Sequence, residues 1–188
     1  MKLFYSIAGW LVFSAVFMSF AEHVVHRYMM HRKGLPRFIY KLIAYWGAIY
    51  EEHALLHHGK YYKTFNDEPD PEGKHLNLKL NVLLGFLFSL PFAGIIYFFS
   101  AVGSIIFVAV VIFHHFAWNI IHTEMHVPKP RFFSRLAIYK FLARYHYMHH
   151  IYPGRNFNVV LPFADFLLGA VRRPSEKDRL GMEAIGLA

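Results

Sequence analysis

With 188 residues, 56% of them apolar and 19% aromatic, the chain is long enough for one domain and more apolar than an ordinary soluble one. Its formal charge of +8 would suit nucleic acid, but the basic residues sit between long uncharged runs, which points to anionic lipid instead. The lack of cysteine excludes disulfides, thiolate-held zinc, iron–sulfur clusters and cysteine nucleophiles, and leaves 14 histidines as the feature to be explained.

Leu3–Ala21 carries no charge over 19 residues, which at about 1.5 Å per residue matches a hydrocarbon core of roughly 30 Å. It predicts a first membrane span over about residues 3–21. Arg27, Arg32, Lys33 and Arg37 outweigh Lys2, which favours a retained helix with an outside N-terminus over a signal peptide cleaved after Ser19-Phe20-Ala21. Phe38–Tyr50 is shorter, holds Lys41 and is studded with Tyr40, Tyr45, Trp46 and Tyr50, residues of the headgroup level. It is expected to lie in the interface, within a helix over about 38–58. A polar loop, Gly59–Lys74, follows and is expected to cover or flank any site nearby.

From Leu80 to Thr123 there is no formally charged residue, a stretch about twice one span, with Ser100–Ser104 as a natural turn. It predicts a hairpin of spans over about 80–99 and 104–122, with Pro91 a point for a kink. An interfacial helix over about 131–150 is expected along the membrane surface. Of the 20 Lys and Arg, all but Lys2 lie between Arg27 and Lys79 or after Glu124. Three crossings put both regions on one side, which the positive-inside rule makes cytosolic. The expectation is an all-α integral membrane helical bundle, a single domain over 1–188, with a histidine cap at its cytosolic face.

Ten histidines form four compact groups: His26 and His31; His53, His57 and His58; His122 and His126; and His146, His149 and His150. Residues three and four apart share a helix face. On that spacing His122/His126, His53/His57, and His146 with His149 or His150, should each aim at one point. The neighbours His149 and His150 point about 100° apart on a helix, so they would serve different ions. Imidazole is a good ligand for Fe, Zn, Cu and Ni, and ten donors suit two ions with room for a non-protein ligand on each. Of the remainder, His23 lies one turn before His26, His75 falls in the polar loop, and His114 and His115 lie within the last span. His115 shares the face of His122 and His126 and either lines a tunnel, buttresses the site or bonds between helices.

Four ordered boxes threaded through membrane helices resemble the fatty acid hydroxylase superfamily, which includes sterol desaturases and carotene hydroxylases. The resemblance runs from Glu22 to about Ala170 and extends to Asn156-Phe157 and Asp165–Gly169. Ala164, Asn158 and Ala170 stand where that family commonly has Trp, Gly and Thr. It implies a non-haem centre of two iron ions held by the ten histidines, using O2 to oxidise a C–H bond of a lipid. Both hydroxylation and desaturation fit, and acyl chain, sterol and carotenoid all fit as substrates.

Purified protein could carry zinc in place of iron, since affinity for nitrogen ligands rises from Fe2+ to Zn2+. The chain has no Gly-rich dinucleotide turn and no separate domain for flavin or haem, so electrons would come from a ferredoxin or a cytochrome b5-like donor. Glu22, Glu51, Glu52, Glu124 and Asp165 are candidates to orient imidazole N–H groups, with His115 as a further supporting residue. A histidine-rich metal transporter and a haem-binding bundle remain as alternatives. The C-terminus lacks an ER retention signal, which points to a bacterial inner membrane.

Overall fold

The computed structural model describes residues 2–63, 65–66, 78–129 and 131–187, and every regular element among them is helical. Helix α1 (Lys2–Val25) runs directly into a π-helix, His26–Met30. Two short helices follow, α2 (Arg37–Leu42) and α3 (Ala44–Tyr50), and then a second π-helix, Glu51–Tyr61. Helices α4 (Leu78–Phe99) and α5 (Ala101–His126) form a hairpin. A 3-10 turn (Phe132–Arg135) leads to α6 (Ala137–Ile151), α7 (Phe163–Leu167) and α8 (Glu176–Ala184).

Three helical stretches are long and apolar enough to cross a membrane: Phe4–Met30, Asn81–Phe99 and Ala101–His126. The first and third outrun the expected spans, 3–21 and 104–122. A helix need not end where polar residues begin if those residues have partners inside the protein, and Glu22, His26, His122 and Glu124 are all buried. The expected turn Ser100–Ser104 contracts to Ser100 alone, whose Oγ accepts the Gly103 N–H at 2.9 Å. Gly103 has no Cβ because one would come within 2.4 Å of the Trp10 ring. Helix α4 continues through Pro91.

The two expected interfacial helices are both shorter and more broken than 38–58 and 131–150. The first stops at Ile43 (φ −126°, ψ 82°) and restarts, which sets Trp46 against Phe88 of α4 at 5.6 Å and Tyr45 Oη against Asn81 Oδ1 at 3.3 Å. The second begins only at Ala137. The Glu124 carboxylate accepts from Lys129 N–H at 3.1 Å and Ser134 Oγ at 2.6 Å and pairs with Arg131 at 3.0 Å, holding this segment back against α5 and out of a helix.

Helices α1, α4 and α5 share a core of Met18, Ala93, Ile96, Phe107 and Val111, with Phe17 edge-on to Phe92 and Phe107 at 5.1 Å each. Their outer faces are apolar and open, Phe98 at 87% and Ile105 at 71% exposure, as a lipid-facing surface would be. A second core of Phe65, Met125, Leu142, Met148, Val159 and Met182 packs below α6 and α8. Because α4 and α5 run antiparallel, the end of α1, the start of α4 and the end of α5 meet at one end of the bundle, and there the histidines gather.

Candidate metal centre

The box spacings act through two kinds of helix. In an α-helix, residues five apart sit about 140° from one another, so His26 and His31 could not share a target. The π-helix widens the turn: His31 N–H bonds His26 O at 3.1 Å, and Tyr62 N–H bonds His57 O at 2.9 Å. His53 and His58, also five apart, consequently bring their Nε2 atoms to 3.2 Å. The last two boxes lie on regular α-helices, where four-residue spacing places His122 and His126 Nε2 3.2 Å apart and His146 and His150 Nε2 3.2 Å apart.

The rings sort into two groups. His26, His31, His53, His58 and His149 offer nitrogens all within 4.8 Å of one another, and so do His57, His126, His146 and His150. His122 stands at the edge of the second group, stacked on Trp118 at 4.3 Å. The neighbours His149 and His150 divide between the groups, as do His57 and His58, and the His58 and His150 rings stack at 4.0 Å where the groups abut. One expected pairing is corrected: His53 joins His58 rather than His57 because the helix there is π. Of the two partners expected for His146, His150 is the one that joins it.

The donor chemistry fits a cation in each group. Backbone carbonyls only accept, so each imidazole facing one carries its proton on Nδ1: His26 to Phe157 O, His126 to Phe65 O at 2.5 Å, His149 to Arg155 O at 2.7 Å and His150 to Tyr62 O at 2.8 Å. Their Nε2 lone pairs are turned inward. His126 Nε2 lies 3.1 Å and His150 Nε2 3.2 Å from His146 Nε2, and one proton on His146 cannot serve both. Across both groups such Nε2 pairs stand 2.8–3.2 Å apart. Adjacent ligands of an octahedral ion at about 2.1 Å would stand about 3.0 Å apart. Neither ring nitrogen of the buried His57 has a hydrogen-bond partner among the described residues, a costly state unless an ion takes one of them.

Burial keeps the outlying imidazoles neutral, as ligands must be. Desolvation, then the neighbouring His149 and Arg32, lower His31 to about 2, and desolvation lowers His149 to about 4. Desolvation, reinforced by the neighbouring histidines, pushes His53, His57, His58, His146 and His150 well below the ordinary value.

The acids expected to orient imidazoles touch none of the ten. Glu51 is exposed and pairs loosely with Lys33 at 3.4 Å, Glu52 is exposed, and Glu124 is engaged with the 129–134 segment. Asp165 accepts from His23 Nδ1 at 2.5 Å, and Glu22 lies 3.3 Å from His114 Nε2. Backbone carbonyls take the orienting role instead, from residues with no side-chain signature. Tyr62 and Phe65 belong to the loop expected to flank the site; Thr64, the rest of that loop beyond Asn66, and His75 lie outside the described residues. The resemblance had drawn attention to Asn156-Phe157, and Phe157 O is one of these acceptors.

A cavity of about 550 Å³ lies among α1, α3, α4 and α5, lined by His26 together with Phe17, Phe92 and Phe107. His114, His115 and Glu22 are in its wall. His115 Nδ1 donates to Val111 O at 2.9 Å and its ring lies on Gly85, where a Cβ would come within 2.4 Å of Nε2. It therefore joins α5 to α4 beside the cavity and reaches neither histidine group. Neither known protein families, nor curated proteins, nor solved structures give a match to this chain.

Proposed function

We propose that the protein is a membrane non-haem di-iron oxygenase that hydroxylates or desaturates a C–H bond of a lipid. The observation that carries the reading is the juxtaposition of two largely buried all-imidazole groups with an apolar cavity that sits among the apolar spans and has His26 in its lining. His26, His31, His53, His58 and His149 would hold one ion, and His57, His122, His126, His146 and His150 the other. Iron in both places would supply O2 binding and the oxidising power for C–H cleavage.

The protein's own residues do the rest. The cavity walls exclude water and align a chain-like substrate toward His26. The carbonyls of Tyr62, Phe65, Arg155 and Phe157 fix imidazole tautomers, so that the donors stay neutral and turned inward. Hydroxylation balances as O2, RH, two electrons and two protons giving ROH and water. The electrons would come from a ferredoxin or cytochrome b5-like protein, whose acidic surface suits the +8 charge. The excess of Lys and Arg around the histidine end supports a cytosolic side for it, with anionic lipid around it, and the setting of this reading is a bacterial inner membrane.

The test is a comparison of lipid extracts from membranes with the wild-type protein and with His126→Ala, under 18O2 and with a reducing partner. Products carrying one labelled oxygen, or one added double bond, in the wild type alone are expected. Iron-loaded, reduced wild-type protein that changes no lipid would overturn the reading.

A further inference from the structure

Ser19, Glu22 and His23 on one face of α1, with His26 at the start of the π-helix that follows, meet the segment Arg155–Val159. Glu22 Oε1 accepts the Val159 N–H at 2.6 Å, and Oε2 accepts Asn158 Nδ2 at 3.1 Å. Ser19 O accepts the same Asn158 Nδ2 at 2.8 Å. Asp165 Oδ2 accepts both the Asn158 N–H at 2.7 Å and Tyr145 Oη at 2.8 Å, while Oδ1 takes His23 Nδ1. Asn156 sits at φ 55°, a left-handed turn that asparagine tolerates, and its N–H and Oδ1 are tied to Ala170 O at 3.0 Å and Arg172 N–H at 2.8 Å.

This turn divides the segment's backbone into two functions. The carbonyls of Arg155 and Phe157 face His149 and His26, and the amides of Asn158 and Val159 face the two buried carboxylates. Both histidines belong to the first group. The second group's carbonyls, Tyr62 O and Phe65 O, lie elsewhere in the chain.

We infer that Asp165 and Glu22 are positioning residues for the first group alone: through the 155–159 backbone they aim His26 and His149, without touching either. The inference rests on reading the two groups as metal sites. Charge-assisted bonds to backbone amides are strong, and an asparagine at 165 has one oxygen to offer where the carboxylate bonds three donors. Its amide would turn a donor toward His23, Tyr145 or the Asn158 N–H.

The experiment is a cobalt(II) titration of the full-length protein in detergent, with visible d–d absorption and elemental analysis as readouts. Wild type is expected to take two ions. Asp165→Asn should keep one at unchanged affinity and weaken the other roughly 10–100-fold, the usual cost of an outer-shell change. Combining it with His57→Ala should abolish tight binding, and combining it with His31→Ala should leave one tight ion. Glu22→Ala, which takes away the acceptor of the Val159 N–H, should give the same pattern and carries the test if Asp165→Asn does not fold. Wild type holding two ions while both variants keep two at full affinity, or lose both equally, overturns the inference and leaves the metal reading standing. Wild type that takes up no cobalt overturns both.

Discussion

The two histidine groups are alike in number and unlike in construction. The second draws four of its five rings from regular α-helices at four-residue spacing, His122/His126 on α5 and His146/His150 on α6, and only His57 from elsewhere. The first has no such pair. His26/His31 and His53/His58 depend on π-turns, and His149 comes from the neighbour position of the second-group histidine His150. The first group also borders the apolar cavity, through His26, and leans on the 155–159 segment. A regular helix holds a ligand pair by its own hydrogen bonds, whereas a π-turn forfeits the preferred ladder and must be held by tertiary contacts. The first group should therefore be the adaptable one and the second the rigid one.

Removing a ligand should give the largest effect. His57→Ala takes away the one second-group donor not on α5 or α6, and should halve the metal content. On the proposed oxygenase function, lipid turnover should fall beyond the roughly 100-fold typical of outer-shell changes. Elemental analysis beside product measurement checks this, and two ions retained in His57→Ala would place that side chain outside the second site.

The next effect separates the cavity from the metals. Leu84 lies in the cavity wall, and Leu84→Trp would fill part of that space while leaving all ten histidines of the two groups in place. Turnover should drop on the order of tenfold, about 1.4 kcal/mol of lost binding, with the metal count unchanged. A fall in metal content would mean that the cavity wall and the first group are one mechanical unit.

The same comparison explains what was legible in the sequence. Three apolar stretches were visible because lipid leaves a one-dimensional mark, a run without charge. The second group was largely legible because its spacing is that of an α-helix. The first is legible only as part of the ten histidines: α-helical spacing pairs His53 with His57, because nothing in Glu51–Tyr61 announces a π-helix. The carbonyls of Tyr62, Phe65, Arg155 and Phe157 left no trace, since every residue has a carbonyl and only the fold decides which one faces an imidazole. Asp165 and Glu22 stand out in the sequence only as acids close to the histidine boxes; in the fold both are buried, and the imidazoles they are expected to orient are one backbone segment away.

Acid should act on the metal-free protein in a defined window. An unfolded histidine binds a proton below about 6.5, while His149 in the folded chain is held to about 4 and His31 to about 2. Between about 6.5 and 4 the unfolded chain therefore carries more protons, and unfolding becomes easier as pH falls. The Tm of metal-stripped protein should decline steadily from pH 7 to pH 4, and bound metal, which keeps protons off the same nitrogens in the folded state, should raise Tm throughout while leaving the decline at least as steep. A Tm that rises on acidification would mean the imidazoles gain partners on protonation, against the burial described.

The smallest effect is expected at Glu51, and it tests where orientation comes from. Glu51 opens the second π-helix two residues before His53, close enough in sequence to have been a candidate for holding that ring. Its carboxylate instead faces solvent and stands 3.4 Å from Lys33 Nζ, both side chains at least half exposed. Ion pairs of that kind contribute about 0–1 kcal/mol and are screened by salt. Glu51→Gln should accordingly leave the cobalt count at two, turnover within about twofold and Tm within a few degrees. The contrast with Asp165→Asn is the point of the measurement: both carboxylates are near the first group in sequence or space, but only Asp165 bonds the backbone that carries its orienting carbonyls. If Glu51→Gln weakened one cobalt as much as Asp165→Asn did, proximity rather than the 155–159 segment would govern the first group, and the division of labour between the two groups would have to be redrawn.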